Sequence, residues 1–264
     1  MKLFSLGLLF YSFTSIVALA DGDPAYQQDK RNPDFRLNIG WAAGFGPDFF
    51  GSSRVEFKHR PIVDLRYKKR LRIFGPKLNY SLFKGSGFSA GPMLQYSFGR
   101  KESDNPLLEG LGNNGDKVEL GAFLNYKKGP FRVKVEGKSG LGDNAGETLT
   151  LSILQGLYRG ERMSWLMVLR SQYFSQQTMQ RKFGITELQA QNSVSDLAAF
   201  RPSAGISNSN MLLFGDYKLD DHISLIFVSS VWRLMADAKN SPLIKSDFGN
   251  QFQALYGMAL IYKF

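Results

Sequence analysis

Along most of the chain, apolar side chains fall on every second residue in segments of about ten, bounded by Gly, Asn, Asp and Lys. Phe35, Leu37, Ile39, Trp41 and Ala43 share one face, with Arg36, Asn38 and Gly40 on the other. Phe88, Ala90, Pro92, Leu94, Tyr96 and Phe98 alternate with Ser89, Gly91, Gln95 and Ser97. Val118 to Tyr126 and Phe131 to Val135 repeat the pattern. It is clearest at the end, where Phe252, Ala254, Tyr256, Met258, Leu260, Tyr262 and Phe264 occupy even positions. A period of two means strands with one apolar face. After residue 20 the longest uninterrupted apolar run is Trp165 to Leu169, too short for a helix that crosses a bilayer.

Many alternating strands build either a soluble sandwich or barrel, apolar inside, or a transmembrane barrel, apolar outside. Three features favour the second. Aromatic residues stand near segment ends (Tyr67, Tyr80, Tyr96, Phe98, Tyr126, Tyr158, Tyr173, Tyr217 and Tyr262), as an interfacial girdle requires. Very short connections alternate with long ones. The residues Tyr256, Met258, Leu260, Tyr262 and Phe264 resemble the C-terminal signal read by the barrel-assembly machinery. Short turns are expected at Lys68-Lys69, Lys84 to Gly87, Lys127 to Pro130, Arg159 to Arg162 and Leu219 to Asp221. Long loops are expected over 46–54, 100–116, 139–147, 175–203 and 236–249. Short turns then face the periplasm and long loops the exterior, provided the strand number is even. Splitting the segment around Gly75-Pro76, a strong breaker pair, satisfies that condition. The pattern thus predicts an all-β, antiparallel transmembrane barrel of about twelve strands: 35–45, 55–67, 70–74, 77–83, 87–99, 117–127, 130–138, 147–158, 163–174, 204–218, 222–235 and 250–264. Within the longest loop, 186–199 is a candidate short helix.

Composition narrows the chemistry. The 264 residues contain no cysteine and two histidines, with a net charge of +10. A disulfide framework, a thiolate zinc site and a cysteine nucleophile are excluded. Met1-Lys2, an apolar run to Val17 and Ala18-Leu19-Ala20 read as a cleaved export signal rather than a membrane anchor. The domain plan is then a signal peptide over 1–20, a polar periplasmic lead-in over 21–34 and a barrel over 35–264. Export excludes nucleic acid as a partner despite the basic balance, and makes outer-membrane lipid the surroundings.

No catalytic, metal or cofactor-binding set emerges. His222 follows Asp220-Asp221 in a turn and shares a strand face with Ser224 by parity, but nothing nearby marks a nucleophile or oxyanion site. His59, between Lys58 and Arg60, reads as a lipid-facing or girdle residue. Asp104, Glu109, Asp116 and Glu119 lack the dense oxygen spacing of a calcium loop. The chain is therefore expected not to be an enzyme. Charge is more informative. Lys58, Arg60, Asp64 and Arg66 share one parity in the second strand, and Arg132, Lys134, Glu136 and Lys138 one in the seventh. A Lys or Arg facing lipid at mid-bilayer costs about 2–4 kcal/mol, so these faces are expected to point into the lumen, as a salt-bridged plug or an anion-favouring passage. Lys68, Lys69, Arg70, Lys127, Lys128, Arg159 and Arg162 concentrate positive charge at the short turns, where murein carboxylates or anionic partners would meet it.

Several stretches resemble the MipA/OmpV family in order and spacing over nearly all of the mature chain. They are Gly44 to Ser52, Glu102 to Gly112, Val118 to Phe123, Phe183 to Thr186, Asp221 to Leu225, Ser241 to Ile244 and the final Tyr262-Lys263-Phe264. Phe49-Phe50 stands where a tyrosine-containing stretch is expected. The resemblance implies an outer-membrane scaffold for murein-remodelling enzymes, a lytic transglycosylase and a murein synthase, with no catalytic motif. A small channel for acidic solutes and an adhesion protein are the alternatives.

Overall fold

The computed structural model describes residues 34–142 and 146–264; the expected signal peptide and nearly all of the lead-in lie outside them. Strands β1 (Phe35–Pro47), β2 (Val55–Tyr67), β3 (Leu71–Phe74), β4 (Lys77–Tyr80), β5 (Phe83–Gly85) and β6 (Phe88–Ser97) are followed by β7 (Lys117–Lys128) and β8 (Phe131–Gly140). Then come β9 (Glu147–Arg159), β10 (Met163–Phe174), β11 (Gly205–Lys218), β12 (Ile223–Leu234) and β13 (Phe252–Lys263). Sequential antiparallel pairing runs round the sheet, and β1 pairs with β13. Both β4 and β5 pair with β6, at Asn79↔Met93 and Phe83↔Ala90, so they are one strand interrupted at Ser81-Leu82. The result is a closed antiparallel barrel of twelve strands.

The interruption has a local cause. At Gly91 on β6, a Cβ would collide with the Tyr80 carbonyl oxygen, so the chain crosses there only over a glycine. The β3–β4 hairpin is also short. Its tip reaches only the level where the Gly75 N–H donates to the Val63 carbonyl and the Tyr96 N–H to the Pro76 carbonyl. Beyond Val63 no described strand pairs with that edge of β2. Pro61, which has no N–H to lose, lies two residues along the same edge.

Alternate side chains point out of the barrel and carry most of its exposed apolar surface: Trp41, Phe57, Leu120, Leu151, Tyr256 and Leu260 are each more than 40 % exposed. The inner face is divided lengthwise. On β2, β3, β7 and β8 it is charged. On β9 to β13 it is mostly uncharged, with Leu154, Val168, Leu212, Val228, Leu255 and Ile261 buried beside hydroxyl and amide side chains such as Thr150, Ser152, Ser224 and Gln253.

The four longest loops, at the end opposite the short turns, fold together into a cap. Its apolar centre holds Phe49, Leu108, Met179, Phe183, Ile185 and Leu243, each at most 2 % exposed. Cross-loop hydrogen bonds fix it: Asn105 Nδ2 donates to Asp48 Oδ2 at 2.6 Å, Ser241 Oγ to the Phe183 carbonyl at 2.6 Å and Gln189 Nε2 to the Leu111 carbonyl at 2.7 Å. Helix α1 (Gln176–Phe183), which the alternation does not reveal, buries Met179 and Phe183 in this centre. Helix α2 (Glu187–Asn192) is shorter than the predicted 186–199 and starts on a capping box between Thr186 and Gln189. A further turn of helix, α3 (Pro242–Lys245), buries Leu243 and Ile244.

Candidate functional site

The charged half of the inner wall is organised around three carboxylates, each between two cations. Asp64 accepts from Arg72 Nε at 2.7 Å and Nη2 at 3.1 Å and pairs with Arg66 at 3.3 Å. Glu136 pairs with Lys134 at 3.0 Å and with Lys77. Glu119 holds Lys138 at 2.6 Å and Lys117 at 3.0 Å, and accepts from the Ser97 hydroxyl. Each group thus brings two basic side chains to one carboxylate. With two partners, each carboxylate has its burial compensated better than a single pair would allow.

Of the residues singled out by parity, Arg60, Asp64, Arg132, Lys134 and Glu136 are all buried, and Arg66 is half-buried. Lys58, further along β2, donates to the carbonyls of Pro47 and Asp48 at 3.0 and 3.1 Å and so ties the strand to its own loop. Parity did not single out Arg72 and Lys77, which lie on strands of four residues where a period of two has no room to declare itself. Glu119 alternates with Val118 and Leu120 and so shares the inner face with Lys117, which the spacing of the strand already indicates.

The opposite surface of interest is the short-turn end. Lys68, Lys69, Arg70, Lys84, Lys127, Lys128, Arg159 and Arg162 are all exposed there. The β2–β3 turn is conformationally costly: Lys68 and Lys69 adopt φ of 48° and 54°. Such turns favour Asn and Gly, and each left-handed non-glycine residue costs of order 1–3 kcal/mol. Two lysines held there mean that the positions carry charge at the expense of stability.

The remaining candidates form no common site. His222 stacks on Tyr262, with ring centroids 5.8 Å apart, on the outer face, whereas Ser224 is buried and accepts from Lys263 Nζ at 2.6 Å. The shared face expected from parity fails because His222 belongs to the turn, where alternation has not begun. His59 is exposed and stacks on Trp41 at 5.6 Å. Asp104 caps the Lys101 N–H at 2.9 Å. Asp116 accepts from the Gly99 N–H at 2.7 Å and the Tyr96 hydroxyl at 2.6 Å, which hold its carboxyl below the usual range. Tyr256, Met258, Leu260, Tyr262 and Phe264 are exposed along the outer face of the closing strand and its end, and the Phe264 N–H donates to the Leu37 carbonyl at 2.9 Å.

Comparison with known proteins gives one strong match. The family model described as MltA-interacting protein MipA matches residues 39–264. None of the curated proteins matches. Among solved structures, the chain is similar to the COG4313 outer membrane channel from Pseudomonas putida F1, at 10% identity and a TM-score of 0.44, covering 88% of this chain and 96% of that one. OmpT, an outer membrane protein of Vibrio cholerae, has 8% identity and a TM-score of 0.42, covering 88% and 98%. The translocator domain of the autotransporter NalP from Neisseria meningitidis has 12% identity and a TM-score of 0.39, covering 97% and 96%.

Proposed function

Because the chain belongs to the MltA-interacting protein MipA family and is an outer-membrane barrel protein, we propose that it anchors murein-remodelling enzymes, a lytic transglycosylase and a murein synthase, to the outer membrane. The carrying observation is the exposed basic rim at the short-turn end, which by barrel convention faces the periplasm. Positive charge on a rim draws an acidic partner by long-range attraction and orients it before contact. The packed cap favours this reading over a channel for acidic solutes, since the apolar loop cluster fills the outer mouth. The charged half-wall then serves as an ion-paired lining: Lys58, Arg60, Asp64, Arg66, Arg132, Lys134 and Glu136 fix the strands rather than conduct. The outward row Tyr256, Met258, Leu260, Tyr262 and Phe264 on the strand that closes against β1 is the assembly signal in this account.

The turn lysines provide the test. K68N/K69G relieves two unfavourable backbone conformations and is expected to stabilise the barrel by about 1–3 kcal/mol in denaturant unfolding. The same variant should recover less transglycosylase when the tagged full-length protein is captured from solubilised envelopes. Capture by the unaltered chain should weaken as salt rises. Undiminished capture by K68N/K69G at low salt, with Lys127 and Lys128 also replaced by Ser, would remove the basic rim from the account.

A further inference from the structure

Beneath the cap, at the top of the lumen, lies a cavity of about 110 Å³ between the inner faces of β10 to β12, the β1–β2 and β6–β7 loops and α1. Four cations line it, Arg100, Arg170, Arg181 and Lys182, and among the described residues no carboxylate does. That sets it apart from the half-wall below, where Asp64, Glu136 and Glu119 are each paired with two cations. Arg100 is 8 % exposed, and among the described residues its Nε and Nη1 have no hydrogen-bond partner. Burial pulls its guanidinium down to about 10 in spite of the field of Asp104. Ser230 Oγ, also lining the cavity, is likewise without a partner among the described residues and can donate its hydroxyl proton. Buried donors left unmade cost about 1–3 kcal/mol each, and more when charged, and an anion entering the cavity would satisfy those of Arg100 and Ser230.

The other wall is aromatic. Phe50 stacks over Trp232, with ring centroids 6.2 Å apart and planes 12° apart. The Trp232 indole N–H is already committed to Gln253 Oε1 at 2.9 Å, which fixes the ring in place. A cationic side facing a pinned aromatic side selects a ligand that has a charged group at one end and a flat apolar body at the other. Entry is from the long-loop end: Arg100, Asn114 and Arg181 line both this cavity and an outer crevice of about 1010 Å³. The partition between the two is a pair of hydrogen bonds, from Asn114 Nδ2 to the Arg181 carbonyl at 2.6 Å and from the Arg181 guanidinium to the Gly115 carbonyl.

We propose that this cavity is a binding site for a small aromatic carboxylate, the carboxylate group on Arg100 and the ring against Phe50 and Trp232. The site lies at the far end of the barrel from the basic rim and stands whether or not that rim holds an enzyme. The test is calorimetric titration of the purified full chain in detergent with benzoate, benzamide and inorganic phosphate. Benzoate should bind saturably at one site per chain. Loss of charge in R100Q should weaken it at least tenfold, a size expected for a charge-assisted hydrogen bond, with R100K intermediate and K101Q, on the exposed side of the loop, unchanged. Circular dichroism and the heat-dependent electrophoretic shift of the barrel report that each variant is folded. Neutral benzamide and ring-free phosphate should both bind more weakly than benzoate. Absence of saturable benzoate binding, equal affinity in folded R100Q, or phosphate binding as tightly as benzoate would each overturn the assignment.

Discussion

Replacing Glu136 by Gln is expected to lower the stability of the folded barrel by about 3–5 kcal/mol, the cost of leaving buried cations without their carboxylate. Glu136 is paired with both Lys77 and Lys134, whose side chains are 13% and 3% exposed. Glutamine keeps the shape and removes the charge, so the two ammonium groups are left facing each other in a space that water reaches poorly. The comparison that isolates this effect is K77M/K134M/E136M, in which all three charges go together. Apolar replacement of a whole buried group is often neutral or stabilising, so the triple variant should unfold at nearly the denaturant concentration of the unaltered chain. If E136Q and the triple variant are equally destabilised, shape rather than charge compensation holds these strands.

Arginine at Leu151 is the second large effect. Leu151 is 44% exposed near the middle of β9, between Val135 of β8 and Ser171 of β10 on the outer face. A cation at that depth should cost about 2–4 kcal/mol in a bilayer, and one near an interface about 0–1 kcal/mol. Leu157 lies on the same face, 53% exposed, two residues from the end of the strand. L157R is therefore expected to be nearly neutral where L151R is severe, measured by urea unfolding in phospholipid vesicles. Equal costs at the two depths would mean that neither position meets hydrocarbon.

The strands were legible because lipid outside and charge inside both obey the period of two. On β2 the alternation predicts Val55–Tyr67, and on β10 Met163–Phe174, as observed. The expected strand over 77–83 is broken at Ser81-Leu82 because Gly91 brings the Tyr80 backbone too close, a contact 11 residues away in sequence and absent from any local pattern. In the middle of β11 and β12 both faces carry apolar residues, so the lengthwise division of the lumen does not show in the alternation: Leu212 and Val228 are buried inward while Met211 and Val231 face out. Helix α1 was hidden for a different reason. Its eight residues are stabilised by burying Met179 and Phe183 under other loops, and a helix that short has little stability of its own. The candidate site divides in the same way. Arg132, Lys134 and Glu136 declare themselves by spacing on one strand, whereas the partnership of Glu136 with Lys77 spans 59 residues and exists only once the barrel closes. Arg100 lies in an irregular loop, where no periodicity distinguishes a buried guanidinium from a solvated one.

The three tryptophans sample both faces of the wall: Trp41 is 53% exposed outside, Trp165 lies on the outer face of β10, and Trp232 is 6% exposed inside. Single-tryptophan variants, with the other two replaced by Phe, can be reconstituted in vesicles whose acyl chains carry bromine, a contact quencher of indole fluorescence. Strong quenching of Trp41 and Trp165, with Trp232 spared, is the result required if the outward apolar residues meet lipid. Quenching of Trp232 with Trp41 and Trp165 left bright would contradict it.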